Sequence, residues 1–411
     1  MRYDVIVVGA GPAGSAAARE SAARGLSVLL LDKAAFPRDK PCGGGVNLRA
    51  ARLLPFDLAP VTERVIYGAR FSLRQRPAFD RFSAEPLTYL TQRSRLDAYL
   101  VERAVAAGAT LRERAPVREI ERHASRVVVR AGAESFEGRA LVGADGANGR
   151  TARLAGLEVN RHLLVGLEGN ITPAGGIPAR WQDALGLDVG GIPGGYGWLF
   201  PKADHLNIGV GGWHHVGPSL RGRLERLTRY YGFDPADLRG LRGHHLPTRR
   251  RGAALADGNV ALVGDAAGLL DPFTGEGIYA AIWSGRAAAG HLAAYLDGRA
   301  ADLTGYGREV ARELLPDLGA SQRYCDIFSL SPRIFATVVR HAPGAWGLLC
   351  RLIRGEETYA GFKRKLGPLS PAVDLVSDLL RVTPRLQRHA GMEDPPPPER
   401  FLRAAHAARP S

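Results

Sequence analysis

The beginning of the chain carries the pattern that most constrains its fold. An apolar run over residues 3–8 ends at Gly9-Ala10-Gly11-Pro12-Ala13-Gly14, an Ala-rich stretch continues to Gly25, and a second apolar run covers residues 27–31. In this spacing the first glycine permits a tight turn, the second lets a phosphate approach the backbone, and the third lets a helix pack against the strand. The helix amino terminus then faces the phosphate charge. The sequence therefore predicts the strand, turn, helix and strand of an α/β dinucleotide-binding unit.

Polar residues at the ends of strands indicate which dinucleotide is bound. Asp32 directly follows the second apolar run, where it can accept hydrogen bonds from adenosine ribose hydroxyls. Two later apolar segments end in Asp145-Gly146 and in Gly264-Asp265, and Asp265 is a candidate acceptor for a ribityl hydroxyl. Residues 272–278 then lead into a predicted helix whose free backbone donors can face an electron-rich flavin edge. Each Asp alone is also typical of a turn or a cap, but the three motifs in this order predict FAD.

A further segment points to a substrate class. Tyr196, Trp198, Phe200 and Pro201 form the pattern Tyr-x-Trp-x-Phe-Pro, and seven residues later comes Gly209-Val210-Gly211. In a strand this alternation places the three aromatic side chains on one face. An aromatic face beside a flavin suits a long apolar hydrocarbon, whereas the simpler interpretation is a sheet face that packs into the core. The FAD motifs favour the first interpretation.

These motifs together resemble the FAD-dependent geranylgeranyl reductase family, a branch of the p-hydroxybenzoate hydroxylase-like flavoproteins. The resemblance covers roughly the first three quarters of the chain. It rests on the GxGxxG turn, on residues 40–45 (KPCGGG), on Arg93 in the run TQRSRLDAYL, on the Asp-Gly and Gly-Asp segments, and on the YxWxFP segment, which is the family's substrate-binding signature. It implies an enzyme that reduces carbon–carbon double bonds of a polyprenyl chain by hydride transfer from reduced flavin. One departure is Gly149, where related flavoproteins often have Ser.

The motifs and the resemblance together predict the ligand-binding residues by number. Predicted FAD contacts are Gly9, Gly11, Ala13, Gly14, Asp32, Lys33, Cys42, Gly43, Gly44, Gly45, Arg93, Val117, Asp145, Gly146, Gly264, Asp265, Gly275, Gly277 and Ile278. Predicted substrate contacts are Tyr196, Trp198, Phe200, Pro201, Gly209 and Gly211.

Two of the predicted residues have alternative interpretations. Cys42 is the candidate to act beside the flavin as proton donor or gate, or it is a small buried apolar residue; the family has Cys at the matching position. Arg93 is a candidate FAD phosphate contact, or forms only an exposed pair with Asp97 one turn later. The histidines at 205, 214, 215, 244 and 245 match no metal-ligand spacing and are expected to be solvated.

The order of the motifs predicts an α/β fold in which the FAD-binding domain is discontinuous. That Rossmann-like domain is expected at residues 1–60, 88–154 and 251–300, with an inserted antiparallel-sheet substrate domain at 61–87 and 155–250. A C-terminal helical region is expected at 301–392. Residues 393–411, which include four consecutive prolines and basic residues, are expected to form a flexible tail.

Composition and charge limit the remaining function classes. Three cysteines, Cys42, Cys325 and Cys350, are too few and too scattered for a disulfide framework, and no metal site is predicted. The net charge of +14 is spread along the chain without a nucleic-acid motif, so no nucleic-acid partner is expected and attraction to anionic lipid fits better. Residues 331–366 predict an amphipathic basic helix pair that rests on a membrane, roofs a substrate tunnel or packs in the core. No bilayer-length apolar run or signal peptide is visible, which favours the cytoplasm, with peripheral binding to the inner face of the cell membrane.

The sequence leaves more than one electron donor and more than one reaction open. The chain has no second GxGxxG after a strand, so NADPH would bind transiently at the surface, or reduced ferredoxin or another acidic carrier protein would replace it. The competing enzyme class is a flavin monooxygenase of an aromatic or polyketide substrate, which shares all three FAD motifs. A different class is a flavin electron relay or a prenyl-binding protein that leaves the chain of its ligand unchanged.

Overall fold

The computed structural model describes residues 2–159, 161–249 and 252–391, so the predicted tail at 393–411 lies outside the described residues. The strands of the described part are β1 Arg2–Val8, β2 Val28–Leu31, β3 Gly45–Asn47, β4 Arg64–Ile66, β5 Gly68–Leu73, β6 Pro77–Phe82, β7 Thr88–Leu90, β8 Thr110–Arg112, β9 Val117–Arg122, β10 Val127–Ala131, β11 Glu134–Gly143, β12 Arg161–Ile171, β13 Ala184–Val189, β14 Tyr196–Pro201, β15 Leu206–Trp213, β16 Arg239–Arg249, β17 Ala256–Asp257 and β18 Val260–Leu262.

The α-helices of the same part of the chain are concentrated after residue 278. They are α1 Pro12–Ala22, α2 Leu48–Ala51, α3 Arg93–Ala106, α4 Thr151–Leu154, α5 Leu220–Tyr230, α6 Ile278–Leu296, α7 Thr304–Glu313, α8 Leu315–Leu330, α9 Pro332–His341, α10 Pro343–Arg354, α11 Tyr359–Lys365, α12 Ser370–Val382 and α13 Pro384–Ala390. None of these helices is both long and apolar enough to span a bilayer.

The chain divides into two compact units, and each is built from separated segments. The first unit contains the chain up to Ile66, then Pro86–Leu164 and His244–Leu318. The second contains Tyr67–Glu85, Val165–Gly243 and the chain from Gly319 onward. The helices after Gly319 therefore belong to the same unit as the second sheet. The sequence had predicted a separate C-terminal helical region at 301–392.

A largely parallel sheet forms the centre of the first unit. Its strand order is β17-β18-β11-β1-β2-β8, and β1 pairs in parallel with β11 and β2. The four residues of β2 are all buried, as are the last four of β1, because a parallel sheet covered on both faces needs continuous apolar strands. The hairpin β9–β10 adds an antiparallel extension beside β11. The predicted α/β class with a Rossmann-like unit is confirmed.

Helices α1 and α6 pack together at very short range in the first unit. A Cβ added to Gly285 of α6 would lie 2.3 Å from the carbonyl oxygen of Ala13 and 2.9 Å from the amide nitrogen of Ala17. Backbone therefore meets backbone there, and only glycine leaves room for it. The Ala-rich composition of α1 has the same cause, since larger side chains would force the helices apart.

A seven-stranded sheet forms the second unit, in the order β16-β12-β15-β14-β13-β5-β6. The β13–β14, β14–β15 and β5–β6 pairs are antiparallel, but β13 pairs with β5 in parallel. The expectation of a wholly antiparallel sheet is corrected by this pair. A parallel pair needs a long connection, and here the chain passes through the first unit between the two strands.

The basic helix pair predicted at 331–366 packs mainly against the second-unit sheet. Val339 of α9 is buried with Phe71 of β5, and Phe335, Trp346 and Leu349 are partly buried beside them. The Trp346 indole donates to the carbonyl oxygen of Phe82, at 2.9 Å. These four apolar residues of the pair therefore serve internal packing, whereas Ile334 and Val338 of α9 are 65% and 46% exposed.

The close α1–α6 contact gives a stability prediction. Gly285→Ala is expected to lower the free energy of unfolding by about 1–3 kcal/mol, because the added methyl group overpacks a backbone contact. Gly290→Ala in the same helix is the control, since a Cβ there meets nothing within 4 Å, and its higher helix propensity should leave stability equal or raised. Equal denaturant midpoints for the two variants would contradict the packing argument.

Candidate active site

The phosphate-binding turn is shaped by contacts that exclude side chains. Gly9 has φ +101°, and a Cβ on it would lie 2.4 Å from the carbonyl oxygen of Ala144. A Cβ on Gly14 would lie 1.8 Å from the carbonyl oxygen of Gly9. At Gly11 the nearest group that a Cβ would meet is the guanidinium of Arg38, at 3.6 Å. The turn is thus closed by packing at Gly9 and Gly14 and open at Gly11, as the motif predicts for a phosphate site.

Asp32 lies at the end of β2 and is held by backbone donors. Its Oδ2 accepts from the amide of Ala10 at 2.8 Å, and its Oδ1 accepts from the amide of Ala34 at 2.9 Å. Arg38 lies 3.7 Å from this carboxylate through Nε and 3.0 Å from Asp97 through Nη1. A carboxylate has about four acceptor sites, so Asp32 keeps capacity for ribose hydroxyls. The sequence motifs did not reveal Arg38, because it lies in an irregular segment after β2.

Arg93 begins α3 and forms a buried ion pair with Asp97. The two side chains meet in bidentate geometry, with Nε–Oδ1 at 2.7 Å and Nη2–Oδ2 at 2.8 Å. Arg93 is 5% exposed and Asp97 is fully buried, so the alternative of an exposed pair is wrong. Burial lowers the pKa of Arg93, but Asp97 more than offsets it and holds the pKa above its ordinary value. The phosphate contact of Arg93 stays a prediction.

Cys42 lies within hydrogen-bonding range of the same guanidinium. Its Sγ also accepts from the amide of Gly44 at 3.3 Å, and Gly44 has φ +68°, a conformation that favours glycine. The Cys42 side chain is partly exposed, which differs from a small buried apolar residue. Its role beside the flavin stays a prediction.

Asp265 follows β18 in a short 3₁₀ turn and is paired with Lys40 at 3.1 Å. Burial raises the pKa of Asp265, but Lys40, His244 and Arg93 outweigh burial, and the pKa lies below its ordinary value. The carboxylate is therefore ionised at neutral pH and suited to accept a hydroxyl hydrogen bond. A Cβ on Gly277 would lie 3.3 Å from its Oδ1, which places the start of α6 beside it.

Asp145 explains the departure at Gly149. Its Oδ2 accepts from the amides of Arg150 and Thr151, at 2.7 and 2.8 Å, and from the Thr151 hydroxyl. A Cβ on Gly149 would lie 2.2 Å from Oδ1, so Ser does not fit this arrangement. Oδ1 is buried and has no hydrogen-bond partner in the described structure.

His244 lies beside the Lys40–Asp265 pair, although a solvated histidine was expected at this position. It lies in β16, close to Lys40, Asp265 and Arg93. Burial and then Lys40 lower the pKa of His244 to about 4, so the imidazole is neutral at pH 7. Its Nε2 is buried without a partner among the described residues. A strand position next to buried charges was not visible from the spacing of the histidines.

Glu276 is a second residue that the sequence motifs did not single out. It directly precedes the N-cap of α6, and its Oε1 accepts from the amide of Tyr279 at 2.8 Å. Burial raises the pKa of Glu276 to about 7 in spite of this hydrogen bond, and Asp271 adds to the increase. A carboxyl group that titrates near neutral pH thus lies at a helix amino terminus predicted to face the flavin.

These features of the first unit fit FAD. The bare turn at Gly11 leaves the backbone open to a pyrophosphate, and the buried Asp145 Oδ1 and His244 Nε2 are polar atoms that a bound group would satisfy. Asp32 and Asp265 are acceptors at the two strand ends where ribose and ribityl hydroxyls are expected. Within the described residues no group of His, Cys, Asp or Glu side chains is arranged to hold a metal ion.

The YxWxFP segment of the second unit forms β14. Tyr196, Trp198 and Phe200 are partly exposed, whereas Leu199 between them is fully buried in the core of that unit. Ring centroids of neighbouring aromatics are 6.2 and 6.3 Å apart, so the three rings form a continuous row. The row lies on the face of β14 opposite to the core, and the simpler core interpretation does not apply.

The glycines of β15 make room for this row. Trp198 lies opposite Gly209 and Tyr196 opposite Gly211 in the antiparallel pair. A Cβ on Gly209 would lie 2.0 Å from the Trp198 ring, so the indole rests directly on backbone. The indole Nε1 donates to Oδ1 of Asn207 at 2.8 Å, which fixes the ring. Gly209 therefore acts by supporting Trp198; its direct contact with substrate stays a prediction.

Comparison with known proteins places the chain. An FAD binding domain family matches residues 2–172. The chain is 35% identical over 318 residues to geranylgeranyl diphosphate reductase of Rhodobacter capsulatus, with 74% of this chain and 78% of that protein covered. It is 30% identical over 392 residues to menaquinone reductase of Mycobacterium tuberculosis, with 86% and 95% covered.

The chain belongs to the geranylgeranyl reductase family. The predicted resemblance and the predicted FAD cofactor are thereby confirmed. The fold is also that of a geranylgeranyl bacteriochlorophyll reductase-like protein from Thermoplasma acidophilum, with a TM-score of 0.71, 22% identity, and 95% and 98% of the two chains covered. The individual FAD contacts predicted for this chain, which include Ala13, Lys33 and Val117, stay predictions.

The turn geometry predicts a separation of FAD binding from folding. Gly11→Ala is expected to weaken FAD binding at least about 10-fold, because the added methyl group occupies the place where the phosphate approaches the backbone. The thermal midpoint of the apoprotein should stay unchanged, because the Cβ points to open space near Arg38. Gly14→Ala is expected to lower the midpoint itself, since its Cβ would clash with Gly9. Flavin titration with thermal scans separates the effects, and wild-type FAD affinity in Gly11→Ala would contradict the assignment of the turn.

The raised pKa of Glu276 predicts a pH-dependent stability. The folded-state pKa of about 7 lies above the ordinary value of 4.5, so the stabilisation from proton binding is complete below pH 4.5 and is lost as pH rises to about 7. Glu276→Gln is expected to remove this pH-dependent loss of stability, which amounts to about 1–2 kcal/mol in the free energy of unfolding after allowance for partial exposure. Denaturant unfolding between pH 5 and 8 measures it, with the exposed Glu313→Gln as control. If the free energy of unfolding changes with pH in the same way for wild type and Glu276→Gln, the raised pKa of Glu276 is contradicted.

Proposed function

We propose that the chain reduces carbon–carbon double bonds of a polyprenyl lipid or prenyl diphosphate. The observation that carries the proposal is the aromatic row of Tyr196, Trp198 and Phe200, which lies outside the core of its unit. Such a row offers broad apolar contact and few hydrogen bonds, which is what a branched hydrocarbon needs. The names of the two relatives, a geranylgeranyl diphosphate reductase and a menaquinone reductase, agree with a prenyl substrate.

The residues of the first unit supply binding, charge balance and a proton. Bound reduced FAD supplies the hydride equivalent for an alkene carbon. We propose Cys42 as the acid that protonates the other carbon, because its thiol is partly exposed and in contact with polar groups. Arg93, itself neutralised by Asp97, would hold Cys42 in position. The neutral His244 and the ionised Asp265 would hold hydroxyl and ring groups of the cofactor.

The electron donor and the place of action are also proposals. The positive net charge of +14 supports a phosphate-bearing donor such as NADPH, or an acidic carrier such as reduced ferredoxin. The same charge supports action in the cytoplasm at the anionic inner face of the cell membrane.

The first experiment is mass spectrometry of geranylgeranyl diphosphate and of a polyprenyl quinone after anaerobic incubation with dithionite-reduced protein. Product masses that rise by whole hydrogen pairs are expected, and the two substrates are ranked by yield. Unchanged masses with bound, reduced flavin would contradict the proposal. Incorporation of oxygen from air would instead support a monooxygenase.

The aromatic row predicts a specific kinetic effect. Trp198→Ala is expected to raise KM for the prenyl substrate about 10- to 100-fold, because an indole contact of about 1.4–2.8 kcal/mol is lost, with a smaller change in kcat. Trp198→Phe keeps the apolar face and loses only the hydrogen bond to Asn207, so its KM should stay within about threefold of wild type. Equal KM values for the two variants would exclude the row as the substrate contact.

A further inference from the structure

Helix α12 has its apolar residues on the outside. Four of them, Leu375, Val376, Leu379 and Val382, are 55%, 38%, 45% and 39% exposed, and Leu369 just before the helix is 68% exposed. Their spacing of i, i+1, i+4 and i+7 places the four on one side of the helix. We call this side of α12, together with Leu369, the apolar row.

The polar residues of α12 face the protein interior. Asp326 of α8 is fully buried and accepts from Nε of Arg381 at 2.7 Å and from Oγ of Ser377 at 2.6 Å. Arg323 of α8 pairs with Asp378 at 2.9 Å. Turning α12 to hide its apolar side chains would take Arg381 and Ser377 away from the buried Asp326 carboxylate and leave its charge unpaired, which is strongly unfavourable. The buried ion pairs therefore fix the apolar row outward.

We propose that the apolar row of α12 docks on the surface of an anionic lipid bilayer. The proposal rests on the proposed function, since it supplies the route by which a membrane lipid reaches the enzyme. It differs from the predicted membrane contact of the 331–366 helix pair, in which Phe335, Val339, Trp346 and Leu349 pack in the cluster around Phe71. The row would enter the boundary between headgroups and acyl chains.

Charge around the row favours a bilayer as the occupant. Residues 359–391 contain six Lys and Arg, two Asp and no Glu, and three of the six bases form ion pairs, Lys363 with Asp374, Lys365 with Glu357 and Arg381 with Asp326. Arg364 near the end of α11 and Arg385 in α13 are exposed, and they bracket α12 along the chain. The two acids, Asp374 and Asp378, are held by Arg323 and so do not oppose an anionic surface. Basic residues that flank an apolar row are typical of binding to acidic lipids.

The size of the row argues against a stable dimer contact. From the exposed fractions, its five side chains present roughly 400 Å² of apolar surface, in the range of functional patches on monomers. A stable protein interface buries about 800 Å² on each partner, about twice this area. Binding to a bilayer does not need this buried area, because attraction between basic residues and anionic lipids adds to the shallow insertion of apolar side chains.

The test is flotation of the FAD-bound full chain with vesicles of phosphatidylcholine alone or mixed with phosphatidylglycerol. Binding to the mixed vesicles is expected, with a loss of at least tenfold in Leu375→Ser/Leu379→Ser. The control is Val105→Ser/Leu241→Ser, which removes two apolar side chains elsewhere that are 44% and 39% exposed, and it should bind like wild type. The proposal would be overturned if the α12 variant bound vesicles as strongly as the wild type, or if the wild type did not bind vesicles.

Two further measurements keep the proposal independent of variant folding. Hydrogen exchange of the unmodified protein should show protection of residues 369–382 when mixed vesicles are added; no protection there would overturn it. Light scattering that shows a wild-type dimer and a monomeric α12 variant would assign the row to a second copy. A chain that ends at Gly391 should float like wild type, and loss of flotation would assign the contact to residues 392–411.

Failure of this proposal can be told from failure of the proposed function. With a prenyl substrate dispersed in detergent, the α12 variant should turn over at the wild-type rate, whereas turnover of vesicle-embedded substrate should fall with binding. No reduction by either protein in detergent would reject the proposed reaction and leave the vesicle result standing. Equal loss in detergent and in vesicles would reject a docking role for α12.

Discussion

Contacts of backbone with backbone, or of a ring with backbone, underlie most of this structure. Gly9 lets the phosphate turn lie against the backbone of Ala144 after β11, Gly14 lets α1 lie against Gly9, and Gly285 lets helix α6 approach α1 without intervening side chains. Gly209 does the same for the indole of Trp198. Dispersion and exclusion of water act best at such distances, but the geometry tolerates no added methyl group. The positions of the cofactor turn and of the aromatic row both follow from this constraint.

Local sequence signals predicted the parts of the fold that depend on neighbouring residues. The β1–α1–β2 unit, the strands that end at Asp145 and near Asp265, and strand β14 follow from apolar periodicity and glycine spacing, and the structure has them where they were expected. The family and its cofactor followed from the order of these motifs. This succeeded because glycine geometry and strand alternation are properties of short segments.

The features that were missed arise from contacts between distant segments. The parallel pair of β13 and β5 depends on the return of the chain to a sheet that it had left. The place of His244 beside Asp265, the buried state of Arg93 and the raised pKa of Glu276 depend on what burial does to charges. No residue spacing encodes solvent exclusion, so sequence patterns alone could not reveal them.

The parallel pair of β13 and β5 has a consequence during synthesis. Ser72 and Asp188, which are hydrogen-bonded across it at 2.6 Å, are 116 residues apart. At ribosomal speeds of about 5–20 residues per second, the β5–β6 hairpin emerges roughly 6–23 seconds before its neighbour exists. Its open edge must stay unpaired with other nascent chains for that time. Arg70 places a charged side chain on the edge strand β5, a feature that discourages pairing with other strands.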